Sequence, residues 1–267
     1  MKEVITSVQN TLVKKVKRLT EKAAARKEEK RFVVEGVREC SLLQRGGFEV
    51  ECFIVCREIY RPSPNYPIEF SENTRWVSPQ VYHAMAYREK SEGVIAVAFL
   101  KTTQLSELRL SKYPLILVAA EVEKPGNLGA MLRTADACGV DAVLVCDEKA
   151  DVFNPNVLRS SLGTFFTNQV VVCSWQAARA FLHEKQVNCV AAHVGASKSC
   201  YEFDFTRGTA FVLGSEAHGL SNAIADSCHA HVKIPMMGKI DSLNVSVSAA
   251  VLLYEAVRQR LAGCGSK

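Results

Sequence analysis

Leu115-Ile-Leu-Val-Ala-Ala120, Glu121-Val-Glu-Lys-Pro-Gly-Asn-Leu-Gly-Ala-Met-Leu-Arg-Thr-Ala135 and Ala142-Val-Leu-Val-Cys146 decide the fold. The first and last are unbroken apolar runs of strand length. A half-exposed strand alternates polar with apolar residues, whereas a continuous run belongs to a strand buried on both faces. Between them Pro125 and Gly126 turn the chain, Asn127 stands as an N-cap, and a helix spans about Gly129 to Cys138. Strands alternating with helices in this way argue for a parallel sheet covered by helices. The alternation continues, with strands at Cys189 to His193 and Ala210 to Leu213 and helices at Asn156 to Ser161 and Trp175 to Glu184. The expected fold is α/β with a parallel sheet, and ligands bind such sheets outside the carboxyl ends of the strands.

Three unusual loops fall at those ends. The first is the Pro125–Asn127 turn entering its helix, with Arg133 six residues beyond Asn127 as a fixed fork of donors near an amide-rich helix start. The second is Leu213-Gly-Ser-Glu-Ala-His-Gly-Leu-Ser221. Gly214 and Gly219 have the outer spacing of a phosphate loop, but Leu220 stands where that loop needs its Lys, so a nucleotide-triphosphatase is excluded. Glycine there admits close backbone approach to a flat ligand, with Glu216 as a carboxylate. The third runs from Ile234-Pro235 to Ser242-Leu-Asn-Val-Ser246 and enters a long helix. Val247, Ala250, Val251, Tyr254, Val257 and Leu261 share one face of that helix. The small residues Ser246 to Ala250 suit a closely approaching partner helix.

Upstream the pattern differs. Leu12, Val16 and Leu19 recur at helical spacing among Lys14, Lys15, Lys17 and Arg18, giving a basic helix Leu12–Ala25. Strands follow at Arg31 to Val34, Val50 to Val55 and Gly93 to Leu100, and a helix opens near Glu35. Arg61-Pro-Ser-Pro-Asn-Tyr-Pro67 is a loop. The domain reading is therefore 1–105 for a small α/β domain, 106–112 for a polar linker, 113–262 for the parallel-sheet domain and 263–267 for a tail.

Composition bounds the rest. The 267 residues are 48% apolar and 23% charged, with net charge +5, which fits a globular chain and permits a nucleic-acid partner. The charge is uneven, since residues 1–31 hold ten Lys/Arg against four Glu. Ten Cys lie scattered without a single C-x-x-C, which reads as reduced, partly buried thiols. His229 and His231 beside Cys228 lack further ligands at metal spacing, so no metal is expected. No run reaches the roughly 20 apolar residues of a membrane span, and no apolar signal core opens the chain, so a cytoplasmic protein without membrane partners is expected. That expectation also sets aside the formal glycosylation match at Asn244-Val-Ser246.

Taken together and in this order, Asn127-Leu-Gly-Ala-Met-Leu-Arg133, Gly214-Ser-Glu216-Ala-His-Gly219 and Pro235 with Ser242-Leu-Asn244 resemble the three signature motifs of the SpoU/TrmH family of RNA ribose 2′-O-methyltransferases, in the SPOUT superfamily. The resemblance covers about residues 113–262. Gln9-Asn10, Val13-Lys14, Leu19 and Phe32-Val-Val-Glu35-Gly36 look like the small RNA-binding domain that many members carry in front. The resemblance implies an S-adenosylmethionine (AdoMet) site formed by a C-terminal trefoil knot, and a homodimer. It implies cofactor contacts from the backbone of Gly214, Ile234 and Leu243, and a catalytic set of Asn127, Arg133, Glu216, Ser242 and Asn244. Lys14, Lys15 and Arg18, together with Arg159 in Asn154-Pro-Asn-Val-Leu-Arg159, are the implied RNA contacts. Lys124 stands where the first motif often has Asp, and Asp241 and Ser248 are less usual, but no motif residue is lost.

The implied reaction moves a methyl group from a sulfonium to a ribose hydroxyl, and needs in-line positioning and a proton acceptor. The family proposal makes the arginine at 133 the base. A guanidinium is protonated up to a pKa above about 12, and the alternative is that Arg133 holds an RNA phosphate and orients the hydroxyl. The expected substrate is large-subunit ribosomal RNA, because a separate basic domain precedes the catalytic one. Transfer RNA methylation and a non-catalytic RNA-binding factor are the alternatives.

Overall fold

The computed structural model describes residues 3–87, 91–146, 151–216 and 218–264. Along the chain run β1 (Val4–Ile5), α1 (Thr11–Glu21), α2 (Ala23–Glu29), β2 (Arg31–Glu35), α3 (Val37–Arg45), β3 (Val50–Val55), β4 (Arg75–Val77), α4 (Pro79–Met85) and β5 (Val94–Phe99). Then come β6 (Leu115–Ala120), α5 (Pro125–Ala137), β7 (Ala142–Cys146), α6 (Pro155–Ser160), β8 (Val170–Val172), α7 (Trp175–Glu184) and β9 (Asn188–Ala192). The last are β10 (Lys198–Ser199), β11 (Thr209–Leu213), α8 (Asn222–Ala225), β12 (Ala230–Lys233) and α9 (Val245–Cys264). They form two compact units, Met1–Lys101 with Asp151–Thr167, and Thr102–Ala150 with Asn168–Lys267.

The first unit is a mixed sheet in the order β1-β4-β3-β5-β2. On one face Val16 and Leu19 of α1, with Val81 and Tyr82 of α4, pack on Ile54, Ile95 and Val97. The expected single basic helix is two. Asn10 caps α1 by accepting the Leu12 N–H at 2.9 Å, and Lys22 leaves helical geometry (φ −114°, ψ 113°). Arg26 of α2 turns back to that break. It donates to the carbonyls of Leu19 at 2.5 Å and Thr20 at 3.1 Å, and its Nε lies 3.0 Å from Asp151 Oδ2. A buried guanidinium is tolerated only with such full pairing.

Residues 151–167, which the sequence reading leaves inside the 113–262 stretch, belong to this first unit. Their aromatic residues explain it. Phe153 lies 4.7 Å from Phe32, and Phe166 lies 5.2 Å from Phe48, ring centre to ring centre. Burying three phenylalanines (Phe153, Phe165 and Phe166) against β2 and α3 outweighs sequence order.

The second unit is an all-parallel sheet in the order β10-β12-β9-β11-β6-β7-β8. The continuous apolar runs β6, β7 and β11 are buried along their whole length. Ile116, Val118, Ala120 and Val212 face a cluster with Phe181 and Leu182 of α7 and Ile224 of α8. Leu117 and Phe211 point to the opposite face, where α9 packs against β11 and α5. The stretch read as a polar linker, 106–112, is docked here together with residues 102–105, which the sequence assigns to the first domain. Leu105, Leu108 and Leu110 pack on the same cluster, and Asp141 accepts the N–H groups of Ser111 at 2.6 Å and Leu115 at 2.8 Å.

The apolar face assigned to the last helix is the outward one. Ala249, Leu252, Leu253 and Ala256 are buried, whereas Val247, Tyr254 and Leu261 are exposed. This helix is apolar on two sides, so periodicity alone could not choose between them. Arg260 pins its end by donating to the carbonyls of Phe205, Tyr113, Pro114 and Arg207 at 2.8 to 3.2 Å.

Candidate active site

The site grows from the carboxyl ends of β6, β11 and β12. Helix α5 starts earlier than the sequence suggests. Lys124 is its N-cap without a side-chain bond, and Pro125 fills the first turn. Asn127 therefore lies inside the first turn instead of capping it, and its side chain is available elsewhere. Its Nδ2 donates to Glu216 Oε1 after β11, and its Oδ1 accepts from Asn244 Nδ2 at 3.3 Å. Asn244 in turn accepts the Ser246 N–H at 2.9 Å, which fixes the start of α9. Three polar residues from the three loops thus form one hydrogen-bonded chain.

The glycine loop closes on itself. Ser215 and Gly219 exchange N–H···O bonds of 2.9 and 3.0 Å, and Ser215 Oγ accepts the His218 N–H at 3.1 Å. A Cβ on Gly214 would lie 2.2 Å from the Gly219 carbonyl. Glycine is thus required by the loop's own backbone, ahead of any ligand. Leu220 is buried against Val212 and Ile224, so the position that departs from a phosphate loop anchors this loop to the core. Ala217 lies outside the described residues.

Beside this loop two adjoining clefts open, of about 550 and 320 Å³. Ile234, Pro235 and Met236 line the larger, Gly214, Glu216 and Leu220 the smaller, and His193, Asp241, Ser242 and Leu243 line both. Among the described residues, no N–H from Met236 to Leu243 bonds to another backbone group. Free backbone donors, an apolar wall and two carboxylates suit a flat nucleoside carrying a positively charged sulfur.

Residues 114–254 match the SpoU rRNA Methylase family model, and residues 10–96 match the MRM3-like substrate binding domain. The 23S rRNA (uridine(2479)-2′-O)-methyltransferase of Streptomyces viridochromogenes is 32% identical over 87% of this chain and 84% of its own. The crystal structure of an RNA 2′-O ribose methyltransferase superposes with a TM-score of 0.85 at 37% identity, over 97% of this chain and all of the other. The SpoU methyltransferase AviRb of Streptomyces viridochromogenes, solved with AdoMet, gives 0.83 at 27% identity, over 95% and 99%. The chain belongs to the SpoU rRNA methylase family. It is an RNA 2′-O-methyltransferase that uses AdoMet.

Within this SpoU enzyme the motif residues do not all meet. Asn127, Glu216 and Asn244 join, and Gly214, Ile234, Ser242 and Leu243 line the clefts. Arg133 is exposed and lines neither cleft. Six residues beyond Asn127, it projects about 240° further round the helix. His193 is a cleft residue that the sequence reading passed over. Its Nδ1 accepts the Gly195 N–H at 3.1 Å. The available signal was its place just after β9, a central parallel strand.

The basic residues of the first unit are divided. Lys14 is exposed. Lys15 and Arg31 share Glu51 at 2.5 and 2.6 Å, and Arg18 pairs with Glu29. Burial of Glu51 opposes its charge, but Lys15 and Arg31 together hold its carboxyl below the usual range. His229 Nδ1 accepts the Cys189 N–H, and His231 Nε2 bonds the Ala225 carbonyl. None of the nine described cysteines forms a disulfide, and burial pushes Cys52 and Cys189 up to about 11 and Cys228 to about 12.

Proposed function

We propose that this enzyme methylates a ribose 2′-hydroxyl of large-subunit ribosomal RNA, and that it acts as a homodimer in the cytoplasm. The hydrogen-bonded chain Glu216–Asn127–Asn244 beside the clefts carries the catalytic reading. AdoMet, when bound by the backbone of Gly214, Ile234 and Leu243, supplies a methyl group on a sulfonium. Asn127, held between Glu216 and Asn244, is fixed in one orientation and gives the incoming ribose a preorganised polar contact. Ser242, at the rim of both clefts, orients the nucleotide. Arg133 holds an RNA phosphate as a planar fork and positions the hydroxyl. We read the backbone path from β11 across β9 to β12 as the thread of a trefoil knot.

The ribosomal reading draws on the 23S rRNA relative and the substrate-binding domain. The homodimer rests on α9, whose outward face keeps Val247, Tyr254 and Leu261 exposed although its inner face already fills the core. A second copy across a twofold axis would cover that face. Mass spectrometry of nucleosides from large-subunit and transfer RNA, with and without the gene, is the test. Loss of one 2′-O-methyl nucleoside from large-subunit RNA is expected. Loss from transfer RNA alone would overturn the ribosomal assignment. Sedimentation at micromolar concentration should give twice 29.4 kDa, and a monomer would refute the dimer.

A further inference from the structure

We propose that the first unit contains a subsite for one unpaired RNA base, built on Tyr87 and Arg159. The inference rests on the RNA-methyltransferase reading and adds where, and in what state, the RNA is gripped.

Tyr87 follows α4, and its backbone N–H donates to Glu35 Oε2 at 2.7 Å. The residue is thereby tied to the end of β2, yet its side is 49% exposed. Arg159 at the end of α6 sets its guanidinium 5.9 Å from the Tyr87 ring centre. An exposed aromatic ring on an anchored backbone and a planar cation at one rim are the two surfaces on which unstacked bases pack.

Beside them lies a hollow of about 570 Å³ lined by Lys17, Thr20, Glu21, Met85, Tyr87 and Asn154. Its chemistry selects a base over a bare phosphate. Lys17 suits the phosphate of the same nucleotide, but the Glu21 carboxylate would repel an anion inside the hollow. A carboxylate accepts from the amino groups of base edges. Asn154 Oδ1 is occupied by the Asn156 N–H at 2.8 Å, which leaves its amide to donate to a base acceptor. A paired base cannot reach such a hollow, because its faces are stacked and its edge is engaged.

The test uses the full-length protein and a short oligoribonucleotide carrying 2-aminopurine, either single-stranded or annealed to its complement. Tyr87→Ala should weaken single-strand binding about tenfold, in line with the loss of one stacked base, and leave duplex binding unchanged. Tyr87→Phe should bind as the wild type does. Quenching of 2-aminopurine fluorescence should appear with the wild type and Tyr87→Phe and vanish with Tyr87→Ala. Arg159→Lys, which keeps charge but not the plane, should lose affinity for the single strand several-fold. Unchanged single-strand affinity in Tyr87→Ala would overturn the proposal. So would equal losses for single strand and duplex, which mean a general charge or folding effect. AdoMet titration of the same variants should match the wild type. A wild type that binds the single strand but transfers no methyl group to ribosomal RNA would refute the substrate reading and leave the subsite standing.

Discussion

The two units use polar side chains in opposite ways. In the second, Asn127, Glu216 and Asn244 come from loops up to 117 residues apart and meet beside clefts, and the Met236–Leu243 backbone stays open to a ligand. In the first, Lys15, Arg18, Arg26 and Arg31 are each tied to a carboxylate. Four of the ten Lys/Arg of residues 1–31 are therefore held in ion pairs, and fewer cations are free for a polyanion than the composition suggests. The strand-end residues of the second unit pair with one another beside a cleft, whereas these four cations of the first unit pair with carboxylates of their own unit.

Gly214→Val attacks the second unit at its tightest point and should have the largest effect. The new Cβ meets the Gly219 carbonyl at 2.2 Å, so the loop must open and Leu220 must leave the core. Several kcal/mol of local stability should be lost, with AdoMet binding abolished and hydrogen exchange of the first unit's strands unchanged. Gly219→Ala meets no neighbouring atom and bears only the strain of φ +68°, about 1 kcal/mol. Normal AdoMet binding in the valine variant would remove this loop from the cofactor site. Uniform destabilisation of both units would break the comparison between them.

Arg133→Lys comes next. Positive charge is retained and the planar fork is lost. Single-turnover transfer to the RNA should fall on the order of a hundredfold, while AdoMet affinity holds because Arg133 lines neither cleft. Near-normal transfer would reduce Arg133 to a surface residue. Recovery of the rate at high pH would favour a proton-accepting role over a phosphate clamp.

These contrasts mark what the sequence makes legible. Leu115–Ala120 and Val50–Val55 are readable because a strand's burial is written in its own residues, and the three loops because their glycines, prolines and amides stand at strand ends. The helix start at Pro125 is shifted because a proline in the first turn competes with asparagine as the signal. The assignment of Asp151–Thr167 to the first unit depends on where Phe32 and Phe48 lie, and no local pattern encodes that. The pairing of Lys15 with Glu51, 36 residues away, is equally invisible. So is the choice between two apolar faces of α9, because it depends on which face meets α5.

The smallest expected effect tests the first unit's network. Glu51→Gln removes the carboxylate shared by Lys15 and Arg31. Because those cations hold the folded carboxyl below its usual range, Glu51 contributes stability when ionised. That contribution is complete above the unfolded value of about 4.3 and is lost as pH falls through the lower folded value. The carboxylate is partly exposed, so the loss at pH 7 should be under about 1 kcal/mol, and the gap between variant and wild type should close on acidification below pH about 4. RNA affinity should move the other way. Lys15 is released towards solvent, while Arg31 stays on the Glu29 carbonyl and the Phe99 ring, so binding should strengthen up to about two-fold and its salt dependence should steepen. Lys14→Ala, which removes an already exposed cation, should weaken binding by a similar factor and flatten the salt slope by about one unit. If Glu51→Gln lowered RNA affinity together with stability, the Lys15–Glu51–Arg31 arrangement would itself be the RNA-facing surface. The division of charges between fold and substrate would then fail at its clearest example.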